Sequence, residues 1–268
     1  MQNYCKIIGA LAAASALVAG NAQAGTEQMT SAPSAPSAPV AESGIEYALH
    51  AGYTNEYLFR GTSLGLDLVE AGLNVSSEAY GLGLSAGVWY ANFDADLLGV
   101  GRATSAVNEI DLYAAVSKDF GFMTAAVGYI YYYNDADLLN EIVINARLGD
   151  AQEVYFSVGR DLGFATASLT YYWDIVTDND GYSEFALTRS FELISCLALN
   201  VGTNVGYLAE QGQATAWTTK VGVDYAFAER AKLSPFVAYS LSLSDDNDTV
   251  YFGNDNEFVA GSMLSVSF

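Results

Sequence analysis

From residue 44 onward, apolar and polar side chains of this chain alternate. The stretch 257–268 shows the pattern most cleanly, because Phe258, Ala260, Ser262, Leu264, Val266 and Phe268 occupy every second position. A period of two places these side chains on one face of a β-strand. Comparable segments lie near 45–60, 66–77, 81–93, 108–118, 122–133, 152–160, 164–175, 182–190, 197–208, 215–226, 234–243 and 257–268. Short turns such as Asp119-Phe120-Gly121 and Asp161-Leu162-Gly163 alternate with longer polar connections such as 94–107, 134–151 and 244–256. The run 116–125 is echoed by 158–167, so the same hairpin is expected twice.

Composition decides what these strands build. The chain is 51% hydrophobic with a mean hydropathy of +0.19, yet beyond residue 24 no apolar run approaches the roughly 20 residues that a spanning helix needs. The apolar residues are distributed by alternation instead. A membrane interior accepts only structures that satisfy their own backbone groups, so such strands must close into a barrel. The pattern predicts an all-β fold, a transmembrane antiparallel β-barrel of about 12 strands in residues 44–268. With an even strand number both termini lie in the periplasm and the long connections outside. Leu138, Leu139, Ile142, Val143 and Ala146 have helical spacing behind Asp137, but Ile142, Ile144, Ala146 and Leu148 also alternate. A short helix is expected there; a strand would make the count odd unless another is missed, and 14 strands is then the alternative.

The segments ahead of the barrel read differently. Lys6, the apolar run Ile7 to Ala19 and the small residues of Asn21-Ala22-Gln23-Ala24 form a secretory signal over 1–24. Its removal leaves Cys196 without a disulfide partner in the chain. The triplet repeat Ser31-Ala32-Pro33 to Ser37-Ala38-Pro39 marks 25–43 as an extended, disordered linker. The terminal aromatic Phe268 resembles the signal read by the barrel-insertion machinery. The chain is therefore expected in the bacterial outer membrane, with membrane lipid and that machinery as partners.

Each strand then has a lipid face and a lumen face. Leu82, Leu84, Ala86, Val88 and Tyr90 oppose Gly81, Gly83, Ser85, Gly87 and Trp89, and Trp217, Thr219, Val221, Val223 and Tyr225 oppose Lys220 and Asp224. The 19 tyrosines, 13 phenylalanines and 3 tryptophans gather near strand ends, as at 129–133 and 171–173, where aromatic girdles are expected. Carried through every strand, the alternation points Glu46, His50, Glu56, Arg60, Glu70, Glu109, Asp111, Glu153, Asp174, Glu184, Lys220, Asp224 and Glu257 into the lumen.

That list is heavily acidic. A low-dielectric wall carrying one sign of charge focuses its field into the lumen and gathers counter-ions there. The formal charge of −21 excludes nucleic acid and other polyanions as partners. The run Asp178-Asn179-Asp180-Gly181 resembles part of a calcium loop, but Leu187 stands where the bidentate glutamate belongs. No metal or cofactor site is predicted. An enzyme is not expected either, because a lipid hydrolase of this architecture needs a serine beside its histidine, and His50 has none at same-face positions of its strand.

The first strand carries the motif Tyr57-Leu58-Phe59-Arg60-Gly61-Thr62-Ser63. Alternation puts Tyr57 and Phe59 on lipid and Arg60 in the lumen, within reach of Glu56, Glu70 and Glu257. The motif resembles the signature of the TorF-like (Gcw-Chp) porin family, which implies an outer-membrane barrel of porin function with no catalytic residues. The expected activity is passive diffusion of small hydrophilic solutes with a preference for cations. The rivals are a plugged structural or adhesive barrel and, more remotely, an outer-membrane lipid hydrolase.

Overall fold

The computed structural model describes residues 44–95, 105–136, 150–176, 181–243 and 255–268. The expected signal at 1–24, the linker at 25–43, the ambiguous stretch 138–148 and the calcium-like Asp178-Asn179-Asp180 lie outside them. The described residues form one closed antiparallel barrel of twelve strands, each hydrogen-bonded to its neighbours in sequence. The strands are β1 (Ile45–Phe59), β2 (Thr62–Ala79), β3 (Leu82–Ala95), β4 (Ser105–Asp119), β5 (Thr124–Ala136), β6 (Ala151–Asp161), β7 (Thr166–Asp174), β8 (Tyr182–Ile194), β9 (Leu197–Leu208), β10 (Gln213–Ala228), β11 (Ala231–Ser242) and β12 (Glu257–Ser267).

Closure runs through the two chain ends. β1 pairs with β12 from Ala48↔Ser267 to Thr54↔Gly261, and Tyr47 and Phe268 exchange backbone hydrogen bonds at 3.3 and 2.9 Å. The ring of Phe268 stays exposed at that rim. Short turns share this end. In the echoed pair, Gly121 N–H donates to Asp119 Oδ1 at 2.6 Å and Gly163 N–H to Asp161 Oδ1 at 2.7 Å. Both glycines have positive φ, the conformation such turns require.

The outer surface is apolar. Leu112, Val116, Val127, Phe156, Leu169 and Val237 are all exposed, which in water would form a large uncovered patch. Aromatic rings ring both ends of this band, Phe120, Phe122, Phe164 and Phe227 at the turn end and Trp173, Tyr207, Trp217 and Phe258 at the loop end. This is the exterior of an outer-membrane barrel.

Inside, tyrosines lie across glycines of neighbouring strands. Tyr113 donates to Asn74 Oδ1 at 2.5 Å while its ring covers Gly87, where an added Cβ would overlap the ring. Gly87→Val should displace Tyr113 and destabilise the barrel by ~1–3 kcal/mol, the usual scale of overpacking. Urea titration in micelles would then show an earlier midpoint, and an unchanged midpoint would mean that the ring moves aside freely.

Candidate functional site

The alternation of β1 fails at its outer end, and the failure creates the site. Glu56, Tyr57 and Leu58 are consecutive, and all three are buried. A strand in a barrel wall cannot bury successive side chains, because they point to opposite faces. This hairpin does so by leaving the wall. β1 pairs with β12 only as far as Thr54, and the β1–β2 register shifts between Tyr57 and Leu58. The β2–β3 register shifts between Leu66 and Val69, beside Asp67 at a positive φ of 55°. Bulges of this kind bend strands, and here they turn the hairpin into the lumen. Where β1 departs, the Asn55 side chain takes over from the backbone ladder: it accepts from Ala260 N–H at 2.6 Å and donates to the Phe258 carbonyl at 3.2 Å.

The hairpin packs on both flanks. Tyr57 meets Trp89 and Phe93 edge-on, with ring centroids 5.9 and 4.8 Å away, within a buried cluster that includes Leu68, Val107, Ile130 and Tyr132. Leu58 packs with Ala238 and Val259 on the other side. The tip is the two-residue turn Arg60-Gly61, with φ of 53° and 85°, the left-handed pair of a type I′ hairpin. Gly61 rests against Ala216 of β10 so closely that a Cβ there would overlap the alanine methyl.

Arg60 reaches the far wall. Its two terminal nitrogens donate to the two oxygens of Glu153 on β6 at 2.8 and 2.7 Å. Glu153 Oε2 also accepts from the Tyr132 hydroxyl at 2.8 Å. Three rings surround the guanidinium, with its carbon 4.7, 4.6 and 4.5 Å from the centroids of Phe59, Tyr172 and Tyr182. The paired side chains are 16% and 8% exposed. Losing one partner of so enclosed a pair costs about 3–5 kcal/mol, since it strands the other charge.

Tyr57 and Phe59 therefore do not face lipid. The expectation followed strict alternation, which the bulge overrides. Nor does Arg60 pair with Glu56, Glu70 or Glu257: the in-folded tip carries it across to Glu153. Tyr132, Tyr172 and Tyr182 complete the Arg60 site, although tyrosines near strand ends read from the sequence as girdle residues. Two signals in the sequence point to this arrangement: the uninterrupted apolar run Tyr57-Leu58-Phe59, and the position of Tyr132, an even number of residues from inward Ile130.

The other candidates divide by depth. Glu56, Glu70, Glu109, Asp111 and Glu153 are buried, sealed among packed side chains in the outer half. Glu70 accepts the indole N–H of Trp89 at 2.7 Å. His50, Asp174, Glu184, Lys220, Asp224 and Glu257 are half-buried, and Glu46 is exposed at the turn-end rim. Glu184 accepts from Asn204 at 2.9 Å. The Lys220 ammonium lies 3.6 Å from the Phe236 ring centroid. Asp224 binds Ser234 at 2.7 Å and Lys232 at 3.0 Å; that ion pair is half open to solvent and contributes little. Among the described residues no cluster of three metal-ligating side chains occurs.

Several known proteins resemble this chain. A family described as bacterial protein of unknown function (Gcw_chp) matches residues 38–259. No curated protein matches. An outer membrane channel from Pseudomonas putida F1 superposes with a TM-score of 0.51 at 11% identity, covering 86% of this chain and 97% of that one. LpxR from Salmonella typhimurium gives a TM-score of 0.51 at 8% identity, covering 82% and 99%. The KdgM porin gives 0.48 at 10% identity, covering 83% and 99%. At such identities the likeness is one of fold.

Proposed function

The chain belongs to the Gcw_chp family of bacterial proteins of unknown function, and from that footing we propose that it is an outer-membrane channel for small hydrophilic solutes, narrowed by its own β1–β2 hairpin. The observation that carries this reading is the contrast between the two halves of the interior. Toward the turn end many of the inward positions are small or polar, including Asn74, Ser85, Ser157, Asn200, Ser234 and Ser265, and these six are half-buried, not sealed. Such a surface supports a water-filled vestibule. Toward the loop end the same parity gives Trp89, Phe93, Ile130 and Tyr132, all buried. Solute passage is therefore controlled at the hairpin.

Charge sets the expected preference. Around the hairpin, the half-buried Asp174, Glu184 and Glu257 point inward, and Arg60 is already committed to Glu153. An acidic constriction favours cations, more strongly at low salt where screening is weak. Reversal potentials across a potassium chloride gradient should show potassium passing more readily than chloride. A preference for chloride would exclude this part of the reading.

On the same reading, residues 1–24 are a secretory signal, 25–43 a linker, and Phe268 the residue presented to the insertion machinery. The activity is then that of a porin, as implied by the TorF-like resemblance. One observation favours a second reading, a permanently plugged structural barrel: the hairpin touches the lumen wall on opposite sides. Planar-bilayer recording separates the two, since a permanent plug yields no current under any condition that keeps the barrel folded.

A further inference from the structure

Arg60 sits in its pocket as a ligand sits in a receptor. The pocket wall belongs to strands far from the hairpin: Glu153 on β6, Tyr132 on β5, Tyr172 on β7 and Tyr182 on β8. Tyr172 and Tyr182 lie side by side, tilted by 40° with centroids 6.2 Å apart, and both present their faces to the guanidinium. Glu153 offers both oxygens in parallel, a geometry that matches a planar fork of N–H donors. Tyr132 fixes that carboxylate through its hydroxyl. A carboxylate flanked by aromatic faces is recognition chemistry for an organic cation.

We propose that Glu153, Tyr132, Tyr172 and Tyr182 form a binding site for guanidinium-bearing solutes, which the chain's own Arg60 occupies as an internal pseudo-ligand. These four residues belong to wall strands, whereas the third ring over the guanidinium, Phe59, comes with the hairpin. Arg60 is attached through a turn whose both residues have left-handed backbone, and only its side chain engages the pocket's carboxylate. A solute that presents the same planar fork competes for that carboxylate and frees the tip from the β6 side. That the bound cation is also a solute in transit rests on the channel reading; the binding does not.

The test uses the purified full-length barrel in detergent and methylguanidinium as the probe. Arg60→Ala should bind it saturably by titration calorimetry, with on the order of tenfold or greater loss of affinity in Arg60→Ala/Glu153→Gln. The wild-type barrel should bind far more weakly, because its pocket is filled. Equal heats in all three proteins, or tighter binding by the wild type, would overturn the proposal. Should Arg60→Ala fail to fold, refolding in millimolar methylguanidinium should restore the heat-modifiable gel band, and no restoration would count equally against it. In bilayers, methylguanidinium should block current through Arg60→Ala; intact binding with no current to block would remove the channel reading and leave the site standing.

Discussion

Gly61→Val should open the barrel. Two independent effects act at this position. The backbone has a φ of 85°, and a side chain in the left-handed region costs about 1–2 kcal/mol, more for a branched one. The added atoms would also overlap Ala216 on β10, which is anchored in the wall through its pairing with Ser242 of β11. The tip must therefore unseat. Because the wall pairings from Ala48 to Thr54 do not involve the tip, the barrel itself should survive, with its heat-modifiable migration intact. Single-channel conductance should rise several-fold over the wild type. Folded Gly61→Val protein that passes no current would favour the permanently plugged barrel.

Trp89→Ala should produce the largest loss of stability. Trp89 is fully buried, stacks edge-on against Tyr57 and donates to Glu70. Removing a buried tryptophan costs about 3–5 kcal/mol. The loss of the indole hydrogen bond to Glu70 adds about 0.5–1.5 kcal/mol to that cost. The urea midpoint of the micellar barrel should fall accordingly, with Tyr57 left packing on Phe93 alone of its two ring partners. A midpoint shift as small as that expected for Gly87→Val would show that the outer interior is loosely filled and not a packed core.

The barrel was legible in the sequence because a strand with lipid on one face and the barrel interior on the other alternates along its length. The strand count, the antiparallel order and the lipid faces of β3 and β10 follow from that single rule. The hairpin was not legible by it. Once β1 and β2 bend inward, the tip has protein on both faces, and a reading that assigns alternate residues to lipid necessarily misplaces Tyr57 and Phe59. The partner of Arg60 was hidden for another reason. Glu153 is 93 positions away and across the lumen, whereas alternation along one strand identifies a face and not the residue opposite. Glu109 and Asp111 were assigned to the interior by the same rule, but parity carries no information about depth, so it could not distinguish a sealed carboxylate from a solvated one.

The position of the tip also orders events in time. The hairpin is among the first parts of the barrel to be synthesised, yet the surfaces that receive it lie on β6, β7, β8, β10, β11 and β12. Contacts this distant along the chain are reached only after the intervening segments are arranged, which makes them slow relative to neighbouring strand pairs. The Asn55 amide can make its two bonds only after β12 arrives. The hairpin is thus seated late, once the strands that receive it are in place, although its own residues are among the first to leave the ribosome.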